Sequence, residues 1–313
     1  MKALLADIGG TNARFALLDG GAVGAPLVMP VAAHPTAEAA IATALAQLAP
    51  GGGVRRAVLA LAGPVLGEPV RLTNAPWAFS RPGIAARFGL DGVTLVNDFA
   101  ALAHALPHLG PGDLLPLGEG GGGEEDAPML VLGPGTGLGM AAFLRREGRA
   151  MPTEAGHIGL GPADPWQDRV VAALRERCGR AGVEEAVSGR GLANLHAVVA
   201  ALRGAAVPAR DAAGVVAAAG ACPVAEEAVG LFLDLLANFA GDMALAWGAR
   251  GGVFLAGGIL PRLATRLDPR AFRARFEDRA PMRDWMRGVP LFLVTHPAPA
   301  FPGLAALARA GNG

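Results

Sequence analysis

Two short glycine turns carry the residue types from which a phosphate site can be built. The first is Asp7-Ile8-Gly9-Gly10-Thr11-Asn12. Glycines admit close approach of a backbone to phosphate oxygens, their amides can point at those oxygens, and a preceding carboxylate can hold a hydrated Mg²⁺. Thr11 adds a hydroxyl donor. The second turn, Gly133-Pro134-Gly135-Thr136-Gly137-Leu138-Gly139, repeats the glycine-threonine pattern about 120 residues on. A third backbone approach is offered by Ala256-Gly257-Gly258-Ile259, for a base or a ribose. Each of these also reads as an ordinary turn, since Gly-Gly and Asp-Gly pairs mark hairpins whatever the function.

Carboxylates and one imidazole supply the remaining chemistry. Asn97-Asp98 follows the short apolar run Val93 to Val96, so it stands at the carboxyl end of a predicted strand, where ligands of α/β proteins bind. Asp98 equally suits the N-cap of a helix over Phe99 to Leu106. Glu154-Ala155-Gly156-His157 brings an acid and a histidine together, although an isolated histidine also reads as a core residue with one satisfied hydrogen bond. Glu184, next to Glu185, reads by itself as a solvated helix residue.

The elements that must position these groups alternate. Lys2 to Asp7 and Ala13 to Leu18 predict a hairpin, followed by a strand at Leu27 to Val31, a helix from Thr36 to Leu48 and a strand from Val54 to Ala62. Ser80 predicts the N-cap of a helix towards Phe88. Gly118 to Ala127 predicts an exposed loop, beyond a crossing between lobes near Leu109 to Asp113. The strand, turn and strand around Gly133 to Gly139 then echo the N-terminus. Strands at Gly252 to Leu255 and Leu291 to Val294 and a last helix over Gly303 to Arg309 complete an α/β pattern in two parts.

Composition narrows the classes. At 313 residues with 52% hydrophobic and 17% charged side chains, the chain suits a well-buried protein of two domains. A formal net charge of zero gives no basic field for nucleic acid. The most apolar stretch, Ala228 to Trp247, carries Asp234, Asn238 and Asp242 four apart on one helical face, so no segment is expected to span a membrane. Met1 to Asp7 meets an acid too early for a secretory leader, and the expected location is cytoplasmic. Cys178 and Cys222 are too few for a disulfide framework or a four-cysteine zinc site. Every basic residue except Lys2 is arginine or histidine, which excludes the lysine-dependent nucleotide sites of P-loop proteins and protein kinases.

Taken in order, the motifs resemble those of the bacterial glucokinase family, within the superfamily of hexokinase, actin and the Hsp70 ATPase domain. The resemblance rests on Leu5 to Arg14, Leu72-Thr73-Asn74-Ala75-Pro76-Trp77-Ala78-Phe79, Val96 to Phe99, Gly133 to Gly139, Glu154 to His157, Ser188-Gly189-Arg190-Gly191-Leu192 and Ala256 to Ile259, across nearly the whole chain. It implies a two-lobed actin-like ATPase (ribonuclease H-like) fold with an interdomain cleft. The expected domains are a small α/β domain, 1–109 with 298–313, and a large α/β domain, 110–297.

The activity implied is transfer of the terminal phosphate of ATP to the 6-hydroxyl of glucose, the first step of glycolysis. By that resemblance Asp98 is the base, because a hydroxyl is a poor nucleophile until a carboxylate accepts its proton. Asn97, Glu154, His157 and Glu184 bind sugar hydroxyls beside it. Gly9, Gly10, Thr11, Asn12, Gly135, Thr136, Gly137, Gly257 and Gly258 hold the nucleotide, and Asp7 organises Mg²⁺ through water. A homodimer that closes on its sugar is a further family expectation. The alternatives are a kinase for mannose or an N-acetylhexosamine, and a non-catalytic sugar-sensing protein. A DNA-binding regulator would need a helix-turn-helix, for which no residues precede the first strand, and the related repressor/kinase family carries a cysteine-rich zinc motif that two cysteines cannot supply. Two departures bear on the acceptor: Ala155 stands where many members have glycine, and Thr153 replaces a common glycine.

Overall fold

The computed structural model describes residues 2–72 and 75–311, so Thr73 and Asn74 of the resemblance lie outside the described residues. The chain divides into two compact units, Met1–Gly110 with Arg149–Pro152 and His296–Gly313, and Pro111–Gly148 with Thr153–Thr295.

In the first unit, β1 (Lys2–Ile8) and β2 (Asn12–Asp19) form the expected antiparallel hairpin, extended by β3 (Ala22–Val23) and β4 (Leu27–Pro30) on β2. After α1 (Ala37–Leu48), β5 (Val54–Leu61) pairs parallel to β1. A small ribbon of β6 (Val70–Arg71) and β7 (Ala78–Phe79) and the helix α2 (Arg81–Phe88) lead to β8 (Gly92–Asn97), parallel to β5, and then to α3 (Asp98–Ala105). The sheet order is β3-β2-β1-β5-β8. Both faces of β1 are covered, which is why it reads as a continuous apolar run rather than an alternation. Leu4, Ala6 and Ile8 join the α1 and α2 side with Ile41 and Ile84, whereas Ala3 and Leu5 join the other side with Ala101 and Phe301.

The second unit starts with β9 (Leu114–Pro116), β10 (Met129–Pro134) and β11 (Leu138–Leu144); β12 (Arg149–Thr153), up to Pro152, is counted with the first unit. Helices α4 (Pro165–Cys178), α5 (Gly189–Arg203), α6 (Ala212–Ala218) and α7 (Pro223–Trp247) follow. Next come β13 (Gly252–Leu255), the short α8 (Leu260–Leu263), α9 (Pro269–Glu277), α10 (Arg283–Arg287) and β14 (Leu291–Val294). Strands line up as β11-β10-β13-β14-β9. As in the first unit, a hairpin's first strand pairs antiparallel to its partner and parallel to a later strand: β10 with β11, then with β13. The last helix, α11 (Ala300–Ala310), returns to the first unit against α3, so closely that a Cβ on Gly303 would fall 2.0 Å from the Ala101 carbonyl oxygen.

Helix α7 departs from expectation in one respect. By length and composition it is long and apolar enough to cross a membrane, but 72% of its most apolar window is buried within the protein, as in a core helix. Its polar face is used as predicted. Asp234 accepts from Gln167 Nε2 at 2.5 Å and Arg275 Nε at 2.6 Å, Asn238 Nδ2 donates to the Gly161 carbonyl at 3.1 Å, and Asp242 pairs with Arg279 at 2.9 Å. These partners satisfy polar groups that would otherwise destabilise a buried helix.

Candidate active site

Asp7 occupies the next-to-last position of β1, half-buried, with its Oδ2 3.4 Å from Arg14 Nη1 on β2. Burial pushes its carboxyl above the ordinary aspartate range and Arg14 opposes that shift. A desolvated carboxylate of this kind gains from a nearby hydrated dication, so its chemistry fits an outer-shell Mg²⁺ role. Beyond it the turn closes through the Gly9 N–H on the Asn12 carbonyl at 3.0 Å, leaving Gly10, Thr11 and Asn12 exposed. Neither Gly9 nor Gly10 has a positive φ, and a Cβ on Gly9 would meet only Asn12 O at an ordinary 3.5 Å. The fold therefore does not itself require glycine at position 9; an approaching ligand would.

Asn97 ends β8 and caps α3. Its Oδ1 accepts the Ala100 N–H at 3.1 Å while its Nδ2 donates to the Gly63 carbonyl at 3.1 Å and to Asp98 Oδ1 at 3.0 Å. The predicted cap at Asp98 is thus corrected by one residue. Asp98 is the first residue of α3, where its Oδ1 accepts the Phe99 N–H at 3.0 Å, and a carboxylate there is stabilised by the helix dipole. The structure brings Asn97 and Asp98 together at a strand end as expected. The Gly63 carbonyl that orients the Asn97 amide was missed, and only the Ala62-Gly63-Pro64 turn after β5 hinted at it.

In the second unit, Glu154 and His157 are exposed, their side chains 68% and 65% accessible and 3.9 Å apart at Glu154 Oε2 and His157 Nε2. The core-histidine reading of His157 fails; the buried histidine is His196 on α5, 1% exposed. Thr153 shapes the backbone here, its hydroxyl donating to Met140 O and accepting from the Ala155 N–H, each at 3.3 Å. Glu184 is not a solvated helix residue. It lies just before α5 in a loop, its side chain 17% exposed, and its Oε2 accepts the Leu138 N–H at 2.8 Å. Its own N–H donates to the Gly156 carbonyl at 2.8 Å. Arg190, a residue of the Ser188 to Leu192 motif whose type and spacing do not mark it as a site residue, reaches Glu184 Oε1 at 3.3 Å and Glu185 Oε1 at 2.8 Å.

The glycines of this unit divide by what surrounds them. A Cβ on Gly137 would lie 2.4 Å from Glu184 Oε2, and one on Gly257, whose φ is +100°, 2.4 Å from the Pro134 carbonyl. Backbone packing and a positive φ demand glycine at 257, whereas at 137 a Cβ would have to displace the Glu184 carboxylate. Around Gly135 the nearest atom to such a Cβ is 4.0 Å away, and around Gly258 nothing lies within 4 Å. These two keep open space, and at Gly9 a Cβ would make only one ordinary contact. Thr136 sits between Gly135 and Gly137 in a turn closed by the Gly135 N–H on the Gly137 carbonyl at 2.7 Å.

A surface cavity of about 450 Å³, lined by Pro26, His108, His296 and Phe301 among others, includes none of these residues. Among the described residues there is no group of three or more histidine, cysteine or acidic side chains placed to hold a metal ion directly.

Comparison with known proteins agrees with the motif reading. The family described as Glucokinase matches residues 4–311. A glucokinase of Paramagnetospirillum magneticum is 42% identical over 311 residues, covering 97% of this chain and 96% of its own length. One of Mesorhizobium japonicum is 41% identical over 314 residues, covering 98% and 91%. The crystal structure of a glucokinase from an Antarctic psychrotroph superimposes with a TM-score of 0.90 at 35% identity, covering 99% of both chains. A Streptomyces griseus glucokinase of the ROK family, crystallised with glucose and AMPPNP, shares the fold at a TM-score of 0.67 and 22% identity. The fold is therefore the actin-like ATPase fold, and the chain belongs to the glucokinase family, enzymes that phosphorylate glucose.

Proposed function

We propose that the protein transfers the terminal phosphoryl group of ATP to the 6-hydroxyl of glucose, with Asp98 as the general base. The observation that carries this reading is the Asn97-Asp98 pair at the end of β8, oriented by Gly63 and the start of α3, in a chain of this family. Asn97, Glu154, His157 and Glu184 hold the sugar hydroxyls. Asp98 accepts the 6-hydroxyl proton as that oxygen bonds to the γ-phosphorus and the bond to the ADP oxygen breaks, and the proton then passes to solvent. Gly9, Gly10, Thr11, Asn12, Gly135, Thr136 and Gly137 present backbone and hydroxyl donors to the phosphates, and Gly257 and Gly258 line the nucleoside end. Mg²⁺ when bound neutralises charge on the phosphate oxygens, and Asp7 would hold it through water.

The expected lobes, 1–109 with 298–313 and 110–297, would enclose the sugar and exclude water that competes for the phosphoryl group. We further take the enzyme to be cytoplasmic and homodimeric. A second acceptor, mannose or an N-acetylhexosamine, is kept open by Ala155 and Thr153, whose side chains add volume to the sugar-binding segment.

A coupled assay of ADP release with ATP and a hexose panel, run beside Asp98→Ala, tests the proposal. Glucose should be the best acceptor and the variant should lose about 10²-fold or more in kcat. A wild type that phosphorylates no hexose overturns the function, full turnover in Asp98→Ala removes the base, and a preference for another hexose reassigns the acceptor.

A further inference from the structure

Glu184 touches both halves of the chemistry assigned to the second unit. Its backbone N–H holds the Gly156 carbonyl of the sugar-binding segment at 2.8 Å, and its carboxylate receives the Leu138 N–H, directly after the glycine-threonine turn, at 2.8 Å. The carboxylate lies so near the turn that a Cβ on Gly137 would displace it. Its carbonyl accepts the Ser188 hydroxyl at 2.8 Å, and that oxygen in turn accepts the Gly191 N–H at 2.9 Å at the start of α5. The loop closes when the Gly189 N–H donates to the Gly135 carbonyl at 2.9 Å. Gly156 itself abuts the turn, since a Cβ there would fall 2.4 Å from Leu138 O. Arg190 holds the second carboxylate oxygen at 3.3 Å.

We propose that Glu184 is a positioning residue for the nucleotide as well as a sugar ligand, a strut through which sugar occupancy and the phosphate turn Gly135-Thr136-Gly137 influence each other. This rests on the assignment of Glu154 to His157 to the sugar and of the turn to phosphate. A hydroxyl that competes with Arg190 for Glu184 Oε1 draws on a carboxylate whose other oxygen sets the turn. Occupation of one site thereby reorders the donors of the other. Linkage makes the effect reciprocal: whatever factor the sugar contributes to nucleotide affinity, the nucleotide contributes to sugar affinity. A residue that only bound sugar would leave sugar-free nucleotide binding unchanged.

The experiment is calorimetric titration of a non-hydrolysable ATP analogue with Mg²⁺, with and without saturating glucose, in the full-length protein. In the wild type glucose should tighten the analogue. In Glu184→Ala the sugar-free analogue Kd should rise roughly tenfold, the effect of losing a charge-assisted hydrogen bond, and glucose should no longer alter it. Glu154→Ala, whose side chain makes no bond to the turn, should bind glucose more weakly and keep the wild-type sugar-free Kd. Should Glu184→Ala not fold, Glu184→Gln retains the volume and one acceptor and should raise the same Kd about threefold. An unchanged sugar-free Kd in the Glu184 variant that folds, or no coupling in a wild type that binds both ligands, overturns the proposal. A wild type that binds the analogue and no hexose overturns the glucose reading instead, while the sugar-free comparison still decides whether Glu184 sets the turn.

Discussion

Asn97 shows how one side chain can be structural and chemical at once. Its Oδ1 caps α3 and its Nδ2 bridges Gly63 and Asp98, so a substitution acts on stability and on the site together. The two effects separate by choice of replacement. Asn97→Ala removes cap and donors and should cost about 1 kcal/mol of unfolding free energy, whereas Asn97→Ser keeps a good cap and should cost a few tenths. Both should raise the KM for glucose, measured beside urea unfolding; a serine variant with the wild-type KM would reduce Asn97 to a cap. Residue types and order were enough to single out Asp7, Asn97, Asp98 and Glu154 as candidates. The alternative reading of Asp98 as the cap falls one residue off because cap preference does not distinguish adjacent Asn and Asp, and the backbone angles of Asn97, φ −66° and ψ 147°, with its bond to the Ala100 N–H, decide it.

Among the elements, the glycine turns carry a different lesson. In sequence, Gly133 to Gly139 and Gly257-Gly258 look alike, runs in which any glycine could serve a ligand. Three-dimensional packing sorts them. Gly156→Ala places a methyl against the backbone oxygen of Leu138 and should destabilise the protein by about 1–3 kcal/mol through overpacking. Gly258→Ala meets nothing within 4 Å and should leave the thermal midpoint unchanged while raising the KM for ATP. Differential scanning fluorimetry with ATP kinetics checks both, and a destabilised Gly258→Ala with normal ATP kinetics would make that residue structural. Glu184 likewise was legible only as a family position, because its bond to Leu138 spans 46 residues and no local pattern encodes it.

For the whole molecule, two measurements report on how the parts respond together. His196 is 1% exposed in α5, its Nε2 has no protein hydrogen-bond partner, and burial, with Arg210 adding to it, holds its pKa below the ordinary histidine range. Because the unfolded chain takes up that proton first, this stability is complete above the unfolded value of about 6.5 and is lost as pH falls through it towards the lowered folded value. His104, lowered by burial and by His108, adds in the same direction. The thermal midpoint should therefore fall between about pH 7 and pH 5, and His196→Leu should fall less steeply; equal slopes would remove His196 as a contributor. Saturating glucose should in turn reduce the radius of gyration in small-angle scattering if the two lobes close as proposed, and an unchanged radius counts against closure.

The sequence by itself determined the α/β alternation, the paired hairpins and the family. Those rest on local periodicity, turn chemistry and the order of motifs, all of which are written along the chain. Tertiary structure decided which glycines packing requires and which stay open, which of Asn97 and Asp98 caps the helix, why α7 is a core helix despite its apolar length, and what Glu184 holds. Each of those depends on atoms brought together from distant positions, where excluded volume and hydrogen-bond satisfaction, rather than neighbouring residues, select the arrangement.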